Sequence, residues 1–304
     1  GINRMVVHRY AMQPHSNAVP AMTLGPWGIH FDRTNTWWEP ARAWMDYLNR
    51  CQTLLQEGLF VADLAYFTGD NVVGYTKVHR NELNPVPPEG YDYDLMNTET
   101  LLNRAWIEQG RLRLPDGMSY RILVLQEQSY ITLGLLRKLR EMVEQGLVIV
   151  GARPHQTVGL QSYSITEEKE FEQLCDELWG KNMATMIDRN IGKGRVFWEI
   201  SLNLNQVFRQ IQLKPDFEVG DNPNSAPIRY IHRQIGDKDV YFVTNQRRTP
   251  EDIICNFRVE GKVPEFWNPL TGERSRALVY QKNEGMTSVP IQLDEYGSVF
   301  VVFR

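Results

Sequence analysis

Residues 120–150 read YRILVLQEQSYITLGLLRKLREMVEQGLVIV. Tyr120–Leu125 and Leu147–Val150 are uninterrupted apolar runs, the pattern of strands in a parallel sheet covered on both faces. Between them, over Ile131–Gln145, Leu135, Leu136, Leu139, Met142 and Val143 form a stripe at helical spacing, and Gly146 suits the helix stop. Two parallel strands need such a crossover, so the stretch is a strand–helix–strand unit.

Working outward, the alternation continues on both sides. Phe60–Phe67 reads as a strand, closed by Thr68-Gly69-Asp70-Asn71. Leu95–Ile107 reads as a helix, with Asn97 or Thr98 near its start. Arg111–Leu114 and Pro115-Asp116-Gly117 suggest a small hairpin. Downstream, Phe171–Leu178 reads as helix, Gly194–Phe197 as strand and Leu204–Ile211 as a last helix. Strands alternating with helices over residues 59–218 predict a doubly wound parallel α/β domain.

Past that point the period changes. Ile228–His232, Val240–Thr244, Ile253–Val259, Glu265–Trp267, Ser275–Tyr280, Thr287–Leu293 and Ser298–Phe303 are short strands separated by Gly-, Asn- and Pro-rich turns. Residues 219–304 therefore predict a small antiparallel β domain, sandwich-like in pattern.

Residues 1–58 read as strand, long loop and helix. Residues 2–8 form an apolar run that suits a buried strand. Gln13 to Asn35 is a polar loop punctuated by Pro14, Pro20 and Pro26, and loops of this length are usually functional or disordered. Trp44, Tyr47, Leu48, Cys51, Leu54 and Leu55 then recur on one helical face after Glu39-Pro40, with Gly58 as the stop. This is one β/α unit with an oversized loop after its strand, and in a (β/α)8 barrel that end is the catalytic face.

Within the loop, Gly25–Trp38 (GPWGIHFDRTNTWW) carries three tryptophans, Phe31, His30, Asp32, Arg33 and Asn35 with no strand or helix period. Flat rings beside hydrogen-bonding groups suit a sugar, whose C–H faces stack and whose hydroxyls bond. The other reading is that the rings close off a core.

Composition bounds the rest. The chain has 304 residues, 42% hydrophobic and 23% charged, with a net charge of −4. That balance gives no electrostatic footprint for nucleic acid. No apolar run approaches the roughly 18 residues of a membrane span. Cys51, Cys175 and Cys255 are odd in number and far apart, which excludes a disulfide framework and a CxxC metal site. Gly69 and Gly74 are too sparse for a phosphate loop, and no G-x-S-x-G or strand-end cysteine supports hydrolase or amidotransferase chemistry in the α/β part. A metal site needs three convergent ligands, and only Asp32 lies near His8 and His30 in sequence, so no metal is expected. His79, His155 and His232 are expected to do nothing chemical. A glycosidase needs two carboxyl groups roughly 5–10 Å apart. Asp32 is more readily an ion pair with Arg33, Glu39 suits the helix N-terminus, and Asp63 and Asp70 read as surface or loop residues.

Taken as a set, GINRMVVHRYAMQP (1–14), MTLGPWGIHFDRTNTWWEPARAW (22–44), YLNRCQTLLQEGLFVADLAYFTGD (47–70), GYDYDLMNTETLL (90–102), LPDGMSYRILVL (114–125) and PEFWNPLTG (264–272) resemble glycoside hydrolase family 106, whose known members are α-L-rhamnosidases. The resemblance implies the C-terminal portion of a larger enzyme, and the start without Met, on an apolar run, suits a piece of a longer chain. Residues 1–58 would be the last β/α unit of the catalytic barrel. Residues 59–218 would be a flavodoxin- or amidotransferase-like domain, similar to the one after the barrel in family 42 β-galactosidases. Residues 219–304 would begin the β-sandwich part. The family implies inverting hydrolysis by two glutamates and a bound calcium. Glu39, Glu57 and Glu82 do not match the glutamate motif, so the catalytic pair is expected upstream, and no cofactor is expected on this chain. Substrate binding is implied for Asn3, Arg4, His8, Trp27, His30, Asp32, Arg33 and Asn35. The implied partners are a rhamnose-containing glycan and the upstream barrel, in a periplasmic or secreted bacterial protein. The rivals are a carbohydrate-binding or assembly module centred on Trp267, and an amidotransferase-type activity that would need a reactive Cys175.

Overall fold

A computed structural model describes residues 2–19, 22–28, 30–70, 79–126, 129–158, 164–181, 186–199, 203–220 and 228–304. Gly1, Pro20, Ile29, Asn71 and Gly74, named above, lie outside them. The chain divides into two compact units: Phe60–Glu218, and Gly1–Leu59 together with Val219–Arg304. One unit is a mixed α/β layer structure and the other is predominantly β.

In the α/β unit a six-stranded sheet runs, edge to edge, Met186–Ile191, Gly194–Glu199, Val148–Gly151, Ile122–Gln126, Leu64–Phe67 and Tyr93–Met96. All pairs are parallel except the Met186–Ile191 hairpin edge. Numbered along the chain, the parallel strands lie in the order 2-1-3-4-5. Side chains alternate across a strand. Ala65, Phe67, Leu123, Leu125, Ile149 and Val196 therefore pack on one face, under helices α2 (Thr98–Asn103), α3 (Leu133–Gln145) and α4 (Ile165–Trp179). Leu64, Tyr66, Ile122, Val124, Val150 and Phe197 pack on the other face, with Leu204, Val207 and Phe208 of α5 (Leu204–Gln210). Burial on both faces explains why these strands read as unbroken apolar runs.

Two expectations fail here for local reasons. Leu95–Ile107 is not one helix. Leu95 and Met96 end a strand that pairs with Leu64–Phe67, α2 is confined to Thr98–Asn103 behind an Asn97 cap, and Trp106–Glu108 starts a hairpin. Gln109 and Gly110 both have positive φ (51° and 72°), which is what a two-residue type I′ turn requires. Of the two readings of Asp63, surface or loop, the surface one fails: Asp63 lies in the bend before Leu64–Phe67 and is 2% exposed. Its backbone carbonyl accepts from Arg121 N and Ile122 N, at 2.7 and 3.1 Å. Asp70 joins two helix starts, its carboxylate accepting from the Thr98 hydroxyl and, at 2.7 Å, from Thr132 N.

Asp92 sits close to Asp63, whose amide donates to the Asp92 carbonyl. Burial pushes its carboxyl up to about 6, against the lowering effects of Arg80, 3.7 Å away, and of the Tyr93 amide. A folded pKa above the unfolded one means that the group's stabilisation is complete below about pH 4 and is lost as pH rises through about 6. Asp92→Asn keeps an acceptor for the Tyr93 amide. Relative to wild type, it is expected to gain about 2–3 kcal/mol on going from pH 4 to pH 7.5, since each tenfold change in proton affinity is worth about 1.4 kcal/mol. Urea midpoints at the two pH values check this, and a difference that does not change with pH would sink it.

In the other unit, helix α1 (Ala41–Gln56) lays Cys51 and Leu55 on a sheet face made by Val240, Phe300 and Val302, with Phe242 and Trp267 beside them. That sheet pairs Ile228–Ile235, Lys238–Asn245, Ser298–Phe303, Pro264–Trp267 and Arg274–Arg276 in turn, all antiparallel. Glu251–Phe257 and Met286–Leu293 form a second antiparallel pair. Residues 2–8 are not a strand: they run irregularly, with Ile2 and Val6 75% and 87% exposed. A strand needs a backbone partner, and an apolar run alone does not supply one. The segment is tied instead to α1: Arg4 donates to Gln56 Oε1 and Met5 N to Gln52 Oε1.

Candidate functional site

The aromatic loop is ordered by its own short-range contacts before it presents anything outward. Pro26 sets a single 3-10 turn at Gly25–Trp27, and Gly28 N donates back to Gly25 O. The Phe31 ring lies 5.5 Å from Trp37, 5.0 Å from Trp38 and 6.1 Å from Trp44, in tilted and edge-on contacts of the kind aromatic rings prefer. Phe31 N donates to Arg9 O, which fastens the loop to the N-terminal segment.

Asp32 is the polar centre of the loop. Its Oδ1 accepts from Thr34 N at 2.9 Å and from the Thr34 hydroxyl at 2.8 Å. Burial raises its carboxyl pKa, but the two Thr34 bonds and the positive charge of Arg33 outweigh that and hold it below the usual carboxylate range. Arg33 Nη1 stands 4.0 Å from Asp32 Oδ2, so the expected ion pair is present at its long limit. Asn35 donates to the His30 carbonyl.

The eight sequence-derived positions separate into two groups. His30 and Asp32 are interior, 2% and 1% exposed, and His30 Nδ1 and Asp32 Oδ2 are buried without a hydrogen-bond partner among the described residues. Buried polar atoms nearly always have a hydrogen-bond partner, and Asp32 Oδ2 has in its place only the long ion pair with Arg33. Asn3, Arg4, His8, Trp27 and Arg33 are exposed, Trp27 to 84%; Asn35 is half-buried. Arg4 is committed to Gln56. The loop thus has a stapled polar interior and an outward aromatic and basic surface.

The sites proposed by the rival readings are already engaged. Trp267 has the Arg274 guanidinium 3.9 Å from its ring centroid, and its Nε1 donates to Glu265 Oε2. Cys175 is buried, and burial pushes its thiol up to about 12 in spite of Arg153. At the end of the central strand, where a nucleophile would stand, Gln126 adopts φ 53° and donates to Phe67 O. His232 stacks on Tyr241 at 3.9 Å and bonds Asp239 at 3.1 Å, a structural role. Among the described residues no three His, Cys, Asp or Glu side chains are placed to hold a metal ion.

One feature of the β unit was not legible in the sequence: a cleft of about 960 Å³ lined from both of its sheets, with Asp252, Phe266, Asn268, Ser275 and Gln292 in the lining. These residues come from four separate segments, and no spacing rule connects them.

The family model described as alpha-L-rhamnosidase, glycoside hydrolase family 106, matches residues 1–282. The structure is similar to a rhamnosidase from Novosphingobium sp. PP1Y, with a TM-score of 0.88 and 33% identity over 100% of this chain and 28% of that one. A curated protein of Formosa agariphila, named "Putative beta-glucuronidase", is 33% identical over 100% of this chain and 24% of its own length. A catalytic mutant of a family 42 beta-galactosidase from G. stearothermophilus shares the fold, with a TM-score of 0.55 and 12% identity over 91% of this chain and 46% of that one. The chain spans about a quarter of the length of the two relatives that are 33% identical to it.

Proposed function

The chain belongs to glycoside hydrolase family 106, the alpha-L-rhamnosidases, and on that premise we propose that it is the C-terminal portion of a glycosidase that cleaves α-L-rhamnosyl linkages in a complex glycan. The observation that carries this reading is the similarity to a rhamnosidase structure across 100% of the chain at a TM-score of 0.88. Residues 1–58 act as the final β/α unit of the parent's barrel, and the exposed apolar side chains of residues 2–8 support that role, since a barrel strand would bury them. Residues 59–218 act as a flavodoxin- or amidotransferase-like scaffold; strand order 2-1-3-4-5 supports the kinship, and Gln126 at the central strand end supports a non-catalytic role. Residues 219–304 act as a β-sandwich domain.

In the parent, a carboxylic acid with raised pKa protonates the glycosidic oxygen, and a carboxylate activates water on the opposite face, giving inversion. Both carboxyl groups, and the calcium of the family, belong to residues upstream. This chain contributes a pocket wall: Trp27 stacks on the sugar, while Asn3, His8 and Arg33 reach its hydroxyls. His30, Asp32 and Asn35 hold the loop in shape from its interior rather than touching the sugar.

Hydrolysis of an aryl α-L-rhamnoside tests the reading, with the 304-residue chain set beside its full-length parent and an aryl β-D-glucuronide as second substrate. Turnover of the rhamnoside by the parent alone supports it. Turnover of the glucuronide alone transfers the relative's name to this chain and rejects rhamnose. Trp27→Ala in the parent is expected to raise KM for the rhamnoside about tenfold, the worth of one stacked ring. An unchanged KM would remove Trp27 from the pocket.

A further inference from the structure

We propose that the cleft lined by residues of both sheets of the β unit is a second glycan site that holds a neutral oligosaccharide away from the aromatic loop. Its volume, about 960 Å³, is at the upper end of ligand sites, which run to roughly 1,000 Å³. Phe266 and Val299, both half-buried, supply apolar surface for sugar C–H faces. Asp252, Ser275 and Gln292 supply the polar side, and none of these three side chains has a hydrogen bond or ion pair with another described residue. Asp252 and Gln292 are cross-strand neighbours on the exposed face of their strand pair, opposite the buried Ile253 and Ile291, which places a carboxylate acceptor beside an amide that both donates and accepts. The set suits vicinal hydroxyls, which also donate and accept.

The rim is held rigid before any ligand arrives. Asn268 Oδ1 accepts from Leu270 N and Thr271 N, and Gly272 N donates to Asn268 O, so the turn is fixed while the Asn268 amide nitrogen stays free to donate. Arg274 lies over the Trp267 ring. A preorganised rim lowers the ordering cost of binding. The charge in the lining selects the ligand class. Asp252 and Glu273 are acidic, and Arg274, the one cation of the lining among the described residues, is held over the ring. Uronates and phosphates would meet repulsion there, whereas a neutral sugar would not.

The inference rests on the glycosidase reading only in taking the ligand to be the parent's own type of glycan. Isothermal titration calorimetry of the 304-residue chain with an α-linked L-rhamno-oligosaccharide is expected to show saturable binding. The double variant Asp252→Ala with Gln292→Ala is expected to weaken it about tenfold or more, the worth of one or two hydrogen bonds. Both side chains are exposed, so the fold does not depend on them. An oligogalacturonate is expected to bind more weakly than the neutral probe. Trp27→Ala is expected to leave this binding intact while the double variant leaves aryl rhamnoside hydrolysis by the parent intact, so the two readings fail separately. Absence of saturable binding, or binding untouched by the double variant, overturns the proposal. So does hydrogen exchange at residues 252–254 and 290–292 that is slower in the sugar-free parent than in this chain, because another part of the parent would then fill the cleft.

Discussion

Asp32→Ala in the full-length parent is expected to lower kcat/KM for an aryl α-L-rhamnoside about a hundredfold or more, the scale on which misplacement of a positioned substrate group acts. The loop has few other means of holding its shape. Asp32 Oδ1 takes both the amide and the hydroxyl of Thr34, and the chain reverses there into Asn35 and the tryptophan pair. Removing the carboxylate leaves two donors without an acceptor and frees Arg33. Trp27 and the Phe31 cluster then lose a fixed relation to one another. Asp32→Asn separates shape from charge: its amide oxygen still accepts from Thr34, so the loop keeps its turn and the loss is expected to be nearer tenfold. The carboxyl is held below its ordinary value, so the ionised state that makes these bonds is complete above about pH 4 and fails only as pH falls through the depressed value. Activity of the Asp32→Ala parent equal to wild type would place the loop outside the sugar pocket.

What was legible in the sequence follows from how far each signal reaches along the chain. Tyr120–Leu125 and Leu147–Val150 announced buried strands because burial on both faces removes polar residues, and the structure pairs Ile122–Gln126 with Val148–Gly151. The stripes of α1 and α3 are local and read correctly, and Asn97, one of the two residues offered as the start of the next helix, caps α2. Residues 2–8 misled because an apolar run reports a preference for burial and says nothing of the strand it would pair with. Met186–Ile191 escaped notice because its middle is polar: Asp188 forms a two-point ion pair with Arg195 across the hairpin, a relation seen only once the register is known. The site divides the same way. A tryptophan-rich loop was visible, but which of its polar groups point inward was not, because His30 and Asp32 are as polar as Arg33. The cleft of the β unit was invisible for a topological reason: it exists only after Glu251–Phe257 has paired with Met286–Leu293.

Gly58→Ala is expected to be the most damaging single methyl group in the β unit, costing about 4 kcal/mol or more, while Gly25→Ala costs about 1–2 kcal/mol. The two glycines share one backbone conformation, φ +62°. A side chain at either meets the same left-handed penalty. They differ in space. A Cβ on Gly25 meets nothing within 4 Å, whereas one on Gly58 would lie 2.0 Å from the Gln234 carbonyl oxygen and 2.9 Å from Ile235 Cα. Those are backbone atoms of Ile228–Ile235, which are fixed by pairing with Lys238–Asn245 and cannot yield as a side-chain tip would. Nor can the chain at Gly58 swing away cheaply, because Arg233 grips it: Nε donates to Glu57 O at 2.6 Å and Nη2 to Gly58 O at 2.7 Å. The same grip satisfies carbonyls just past the end of α1, where helices leave acceptors unpaired. Displacing Gly58 would therefore loosen the α1 terminus whose Cys51 and Leu55 cover the sheet. At roughly 2–4 °C per kcal/mol, the melting midpoint of Gly58→Ala should fall some ten degrees below wild type, with Gly25→Ala only a few degrees below. Because φ is matched, the gap between the two variants isolates the steric term. Equal midpoints would mean that the close approach of Gly58 to the strand is not what holds α1 in place.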